Sequence, residues 1–192
     1  MLNITLDKMY KQGEKYTVYI DYISKPNELK TKGSAAITNA KGLYFINPKG
    51  EEKNKPTEIW TQGETEANSV WFPTIDKPNQ KTTEEIYMTV PAKYVTLSNG
   101  SLVSQKKNTD GTRTDYWKMD LPHSPYLFFM GVGDYAIIKD SYKGKEVNYY
   151  VEKEYADVAK RIFGETPAMI GFYEKITGVP YQWPKYSQMT AR

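Results

Sequence analysis

The sequence predicts a mainly β protein: part of a β-sandwich or curved-sheet domain, followed by two short helices that open a second domain. Three observations lead there. Short apolar segments alternate with polar residues at period two, turn dipeptides separate them, and the period changes to a helical one after Val151. The chain has 192 residues, and 39% of them are hydrophobic, including 17 Tyr. Counting the 13 Gly instead of the Tyr gives roughly 37%, below the usual ~45–50% apolar usage. A core poor in aliphatic side chains must therefore lean on aromatic rings, which bury ~150–250 Å² each.

Taken in order, Leu2, Ile4 and Leu6 alternate with polar residues, and Tyr16, Val18, Ile20 and Tyr22 repeat the pattern beyond Gly13. Together they predict a hairpin whose partner strands are expected upstream. A polar stretch over 25–41 leads to the apolar run Leu43 to Ile46, and Pro48, Gly50 and Pro56 mark a loop. Glu58 to Trp60 reads as a short strand; Ile86, Met88 and Val90 alternate, as do Tyr94, Thr96 and Ser98. Asn99-Gly100 and Asp110-Gly111 predict tight hairpin turns, the second leading into Tyr116 to Met119. Further strands are expected over Tyr126 to Val132, Tyr135 to Ile138 and Val147 to Val151, the last two joined at Lys143-Gly144. Tyr155, Val158, Ala159, Ile162 and Phe163 then fall at helical spacing up to Gly164. Thr166 reads as the N-cap of a second helix with Pro167 in its first turn, carried to Gly178 and ended by Pro180 and Pro184. The domains implied are residues 1–150, β, and residues 151–192, helical and cut short.

Composition excludes several chemistries. There is no Cys and a single His, His123, so disulfides, thiol catalysis and any site needing two imidazoles are ruled out within these residues. No Ser stands in a Gly-x-Ser-x-Gly elbow and no phosphate-binding glycine loop occurs, so His123 reads as structural or merely exposed. The 26 basic and 23 acidic residues are interspersed, which argues against a nucleic-acid surface. No apolar run approaches the ~18 residues of a membrane span. The compartment is not encoded.

The densest segment runs from Trp60 to Pro78. A strand end meets a polar loop holding Gln62, Glu64 and Glu66, and Trp71, Phe72 and Pro73 follow. It reads first as a solvated loop between strands; a carboxylate held beside an amide can also capture an ammonium group.

This segment resembles the signature of the zinc aminopeptidases related to aminopeptidase N and leukotriene hydrolase. Their pattern is Thr-Gln-x-Glu-x-x-x-Ala/Asn-Arg-x-x-x-Pro-x-x-Asp-x-Pro, on which Gln62, Glu64, Pro73, Asp76 and Pro78 fall. The likeness continues through Ser98, Asn99 and Gly100, through Trp117 to Gly133, and through Gly164 to Pro167. Phe172 to Glu174, Gly178 to Tyr181 and Pro184 to Tyr186 extend it toward the catalytic domain, so that it covers most of residues 58–192. There is one departure: Ser69 or Asn68 stands where many members carry arginine. The family's Gly-x-Met-Glu-Asn motif and its His-Glu-x-x-His…Glu zinc site are expected after Tyr186, where only six residues remain.

The resemblance implies an N-terminal fragment, inert by itself, of a zinc-dependent aminopeptidase that removes N-terminal residues from peptides. The zinc would belong to the parent enzyme and none to this fragment. Peptide N-termini would be the substrate and the remainder of the catalytic domain the partner. Glu64 would bind the substrate's α-ammonium, and Gln62 would line the first substrate pocket. The alternative is an aromatic-rich β-sandwich module that binds carbohydrate through Trp60, Trp71, Trp117 and Trp183, or a plain scaffold.

Overall fold

A computed structural model describes residues 3–30 and 40–192. Ten strands form three sheets. The first, in the order β1-β2-β7-β4, is antiparallel and contains β1 (Leu43–Ile46), β2 (Glu58–Thr61), β4 (Val95–Ser98) and β7 (Met130–Gly133). The second contains β3 (Thr82–Pro91), β5 (Ser101–Lys107) and β6 (Thr112–His123), with β6 in the middle. The third joins β8 (Tyr135–Tyr142) and β9 (Lys145–Glu152) to β10 (Lys185–Met189). Two helices, α1 (Ala156–Phe163) and α2 (Thr166–Thr177), connect β9 to β10. No helix among the described residues is long and apolar enough to cross a membrane.

The mainly β architecture with two following helices is as expected, and the aromatic-rich core is real. Met88, Val90, Leu97, Trp117, Val132, Tyr135 and Tyr150 form one buried cluster drawn from all three sheets. A second cluster joins Leu43, Trp71 and Phe128, and a third sets Val147, Tyr149 and Phe163 against Ile170 of α2. Trp71 and Trp117 are buried, so they fill the core and offer no face to a sugar.

Five details depart from the sequence expectations. Residues 3–24 form no strand among the described residues, and Ile4, Tyr16, Tyr19 and Ile23 are exposed; Leu2 lies outside the described residues. Period-two alternation selects a face, but a strand also needs a partner edge, and no described strand pairs here. Instead Tyr22 Oη donates to the Trp71 carbonyl (3.0 Å) and Ser24 Oγ to the Val70 carbonyl (2.8 Å). Asn99-Gly100 joins no hairpin: β4 pairs with β7 and β5 with β6, so this corner passes the chain between sheets. Gly100 is required there, since it has φ 73° and an added Cβ would stand 1.8 Å from the Lys118 carbonyl oxygen. Residues 125–127 form a 3₁₀ turn, so the strand expected from Tyr126 begins only at Met130. Thr166 is the first residue of α2, and its Oγ1 donates back to the Phe163 carbonyl (2.6 Å) in place of capping. Last, β10 was not foreseen; it runs parallel to β9, a pairing that needs the long helical crossover between them. By contrast, Asp110-Gly111 and Lys143-Gly144 are hairpin turns, the latter with φ 48° and 79° at its two residues.

A buried charge pair ties the first sheet to the second. Asp115 on β6 is fully buried and accepts from Arg113 Nε (2.6 Å) and Nη2 (2.8 Å), Thr96 Oγ1 on β4 (2.6 Å) and Gln105 Nε2 on β5 (3.0 Å). Burial pushes the carboxyl up, but these bonds outweigh it and hold Asp115 below the ordinary carboxylate value. A depressed folded value contributes stability that is complete above the unfolded value near ~3.9. That contribution disappears as pH falls through the lower folded value. Stability should therefore decline as pH drops below about 4. Asp115→Asn should be less stable at neutral pH, by about 3 kcal/mol, yet lose less of its remaining stability over that interval. Denaturant unfolding at several pH values checks both; an unchanged acid limb in the variant would contradict the assignment.

Candidate functional site

The loop after β2 is held by one buried amide. Asn68 is completely buried; its Nδ2 donates to the carbonyls of Pro125 (2.7 Å) and Phe128 (2.9 Å), and its Oδ1 accepts from Trp71 Nε1 (2.8 Å). Three of its four hydrogen-bonding positions are thus used. Gly63 lies against it, where an added Cβ would meet the Tyr126 carbonyl oxygen at 2.3 Å and the Asn68 side chain at 2.5 Å. Trp71 packs edge-on to Phe72 (4.5 Å), which stacks on Phe128 (5.3 Å). Ser69 N donates to Asp76 Oδ2 (2.8 Å), so the signature's aspartate closes the loop on backbone. Asn68 therefore holds the loop by neutral donors and acceptors, and Ser69 by its backbone N–H on the Asp76 carboxylate.

Backbone bonds hold Gln62 and the turn that carries Glu64. Gln62 N donates to the Gly42 carbonyl (2.9 Å), and Ala67 N to the Gly63 carbonyl (2.9 Å). The Gln62 side chain lines a cavity of about 520 Å³ between the first sheet and residues 181–191. Glu64 is exposed on the turn and is not part of the cavity wall. It forms no ion pair or hydrogen bond among the described residues, whereas Glu66 pairs with Lys77 (2.7 Å). The structure thus brings Gln62 into a cavity and leaves Glu64 free to solvent two residues further on.

The other walls were not foreseen from sequence. Asn99 and Gly100 contribute from the corner, Leu97 from the first sheet, Phe129 from the segment before β7, and Trp183 and Lys185 from the C-terminal segment. Asn99 is locked, donating to the Leu127 carbonyl (2.9 Å) and accepting from Phe129 N (2.6 Å). Lys145 Nζ donates to the carbonyls of Tyr181 (2.8 Å) and Trp183 (2.7 Å), fixing the outer wall. In the sequence Pro180 and Pro184 read as helix stops, Trp183 as a possible stacking ring, and Gly178 to Tyr181 and Pro184 to Tyr186 as family likeness, none of which indicates a cavity wall. His123 also lines the cavity but is buried, with Nδ1 3.0 Å from the Leu121 carbonyl, Nε2 3.4 Å from Glu84 Oε2, and its ring against Phe128 (4.5 Å). It is a packed residue.

Among the described residues no group of three or more His, Cys, Asp or Glu could hold a metal ion. With one imidazole and no thiolate in the chain, the donors present do not fit a zinc centre.

Replacing Asn68 with Ala would leave the Phe128 carbonyl and the Trp71 indole N–H without partners, while the Pro125 carbonyl would still accept from Phe128 N (3.0 Å). Each such group costs ~1–3 kcal/mol, so a loss of about 3 kcal/mol is expected, with a Tm lower by about 6–12 °C for a chain of this size. Thermal unfolding checks this, and a change under ~1 kcal/mol would show that the loop does not depend on Asn68.

Comparison with known proteins agrees with this geometry. The chain is 31% identical over 120 residues to human glutamyl aminopeptidase, covering 62% of this chain and 12% of that protein. Over 179 residues it is 26% identical to probable aminopeptidase 1 of Saccharolobus solfataricus, covering 93% and 22%. A third relative, transcription initiation factor TFIID subunit 2 of Danio rerio, is 25% identical over 179 residues, covering 92% and 14%. The chain thus spans between 12% and 22% of the length of these three relatives. The family model described as the peptidase M1 N-terminal domain matches residues 1–127. This chain belongs to the M1 peptidase N-terminal domain family, in agreement with the aminopeptidase resemblance of its Trp60 to Pro78 signature.

Proposed function

We infer that this chain is the non-catalytic N-terminal part of a zinc-dependent aminopeptidase and that it contributes to recognition of the substrate's α-amine. One observation carries the reading: Gln62 lines a cavity while Glu64, on the same Asn68-locked loop, keeps an exposed carboxylate with no partner among the described residues. A peptide N-terminus carries an ammonium that such a carboxylate attracts. At ~4 Å the gain is ~1 kcal/mol in water and ~4 kcal/mol at an effective dielectric near 20. The chain alone leaves Glu64 in the first regime, so it should bind peptides no more tightly than about millimolar. A second domain closing over the turn would supply the drier setting.

In this reading residues 1–150 form the N-terminal β domain and residues 151–192 open the catalytic domain. The exposed apolar side chains Ile162, Met169, Phe172 and Ile176 support it, since helices with such faces are ordinarily packed against further structure. A bound zinc in this family activates water for attack on the first peptide bond; its ligands would have to come from residues other than these. The competing scaffold reading draws on the likeness to a transcription initiation factor subunit, whose name carries no peptidase activity.

Two measurements separate the readings. Glu64→Ala in the full-length parent should lower kcat/KM by about 10- to 100-fold, or ~1.4–2.8 kcal/mol, without changing its zinc content. Unchanged kinetics would remove Glu64 from the site, and a parent without aminopeptidase activity would favour the scaffold. The purified 192-residue chain should release no chromogenic amine from aminoacyl substrates; chelator-sensitive release would overturn its assignment as non-catalytic.

A further inference from the structure

The cavity beside Gln62 contains a feature that amine recognition does not use. Lys185, the first residue of β10, extends into it; its Nζ donates to the Ser98 carbonyl (2.7 Å) and lies 5.2 Å from the centre of the Trp117 ring. An ammonium has three donors, and the Ser98 carbonyl takes one. No carboxylate forms an ion pair with it among the described residues: Glu84 on β3 and Glu146 on β9 act on it only through longer-range attraction. His123 on β6 lines the same cavity, and Tyr181 and Tyr186 flank it from its own segment. Burial pushes the ammonium down to about 8, against the partial support of those two carboxylates. A buried cation with spare donors and no counter-ion either sheds its proton or acquires an anion.

The surroundings indicate which kind of anion. Trp60, Phe129, Tyr181 and Trp183 give the cavity aromatic walls, and its volume of about 520 Å³ is that of a small-molecule site. We propose that this cavity binds small organic acids with an apolar or aromatic body, the carboxylate pairing with the Lys185 ammonium and the body lying against the aromatic walls. This site shares its Gln62 wall with the proposed substrate pocket but needs neither Glu64 nor aminopeptidase activity, and it is tested on the 192-residue chain itself.

The probes are phenylacetate and its uncharged counterpart phenylacetamide, titrated at pH 7 and followed by intrinsic tryptophan fluorescence and calorimetry. Phenylacetate should bind at least about tenfold more tightly than the amide, the size expected when one ion pair is added in a partly dry site. Lys185→Met should reduce phenylacetate to the level of the amide, and Lys185→Arg should keep it within about threefold. On the unaltered chain, affinity for phenylacetate should fall as pH rises through about 8 and level off at that of the amide, while the amide stays flat. Calorimetry at pH 9 in two buffers of different ionisation heat should show net proton uptake on phenylacetate binding, about 0.4 of a proton for a tenfold gain. Equal binding of acid and amide, pH-independent binding, or no proton uptake would each overturn the site. The pH profile and proton count need no variant, so a misfolded substitution cannot obscure the outcome.

Discussion

The arrangement of this molecule around its candidate site depends on the burial of a single carboxamide. Asn68 satisfies two carbonyls and an indole N–H that belong to separate parts of the chain. The Phe128 carbonyl and the indole N–H would otherwise lack a partner, and the Pro125 carbonyl would keep only the Phe128 N–H (3.0 Å), so the three bonds act together as a geometric constraint. The constraint reaches outward in both directions. Toward the core it sets the Trp71 ring against Leu43 and Phe128. Toward the surface it holds Gly63 in contact, and with it the neighbouring Gln62 and Glu64. A neutral amide suits this position: its donor and acceptor ends meet two carbonyls and one N–H with no charge to desolvate.

The second organising feature is the way the C-terminal segment returns to the first sheet. After α2 the chain pairs β10 with β9, Lys185 bonds the end of β4, and Trp60 Nε1 donates to the Arg192 carbonyl (3.3 Å). These contacts turn an exposed sheet face into a cavity wall. Gln62 and Lys185 thereby line one space although 123 positions separate them in sequence. An amide at the rim and an ammonium within give the cavity a polarity opposite to that of the exposed Glu64 carboxylate. One loop can therefore face an amine while the adjoining cavity favours an acid.

Much of the β architecture could be read directly because local chemistry determines it. Lys143-Gly144 and Asp110-Gly111 need left-handed backbone wherever they occur, and the flanking alternation supplies the paired strands. Asn99-Gly100 carries the same local signal, yet its partners are chosen elsewhere: Asn99 bonds residues 127–129, and Gly100 approaches the Lys118 backbone too closely for a Cβ. The N-terminal alternation failed for a related reason, since pairing depends on an available edge. Within the site, Gln62 and Glu64 were legible only through the family signature. Asn68 falls on the Ala/Asn position of that signature, with no hint of its burial. Trp183 showed only as a possible stacking ring and Lys185 only within the Pro184 to Tyr186 likeness, because their place in the cavity arises from a parallel pairing formed across two helices.

Amide hydrogen exchange over residues 61–72 of the chain tests the locked loop most directly. The amides of Gln62, Ala67, Trp71 and Phe72 each donate within or across the loop, and the Trp71 indole N–H donates to Asn68. They should exchange as slowly as those of β2 and β7, through opening of the whole sheet. The exposed Glu64 to Glu66 turn should exchange rapidly. If the donating amides instead exchanged at the rate of that turn, the loop would not be fixed by Asn68, and Gln62 and Glu64 would have no defined placement to offer a substrate.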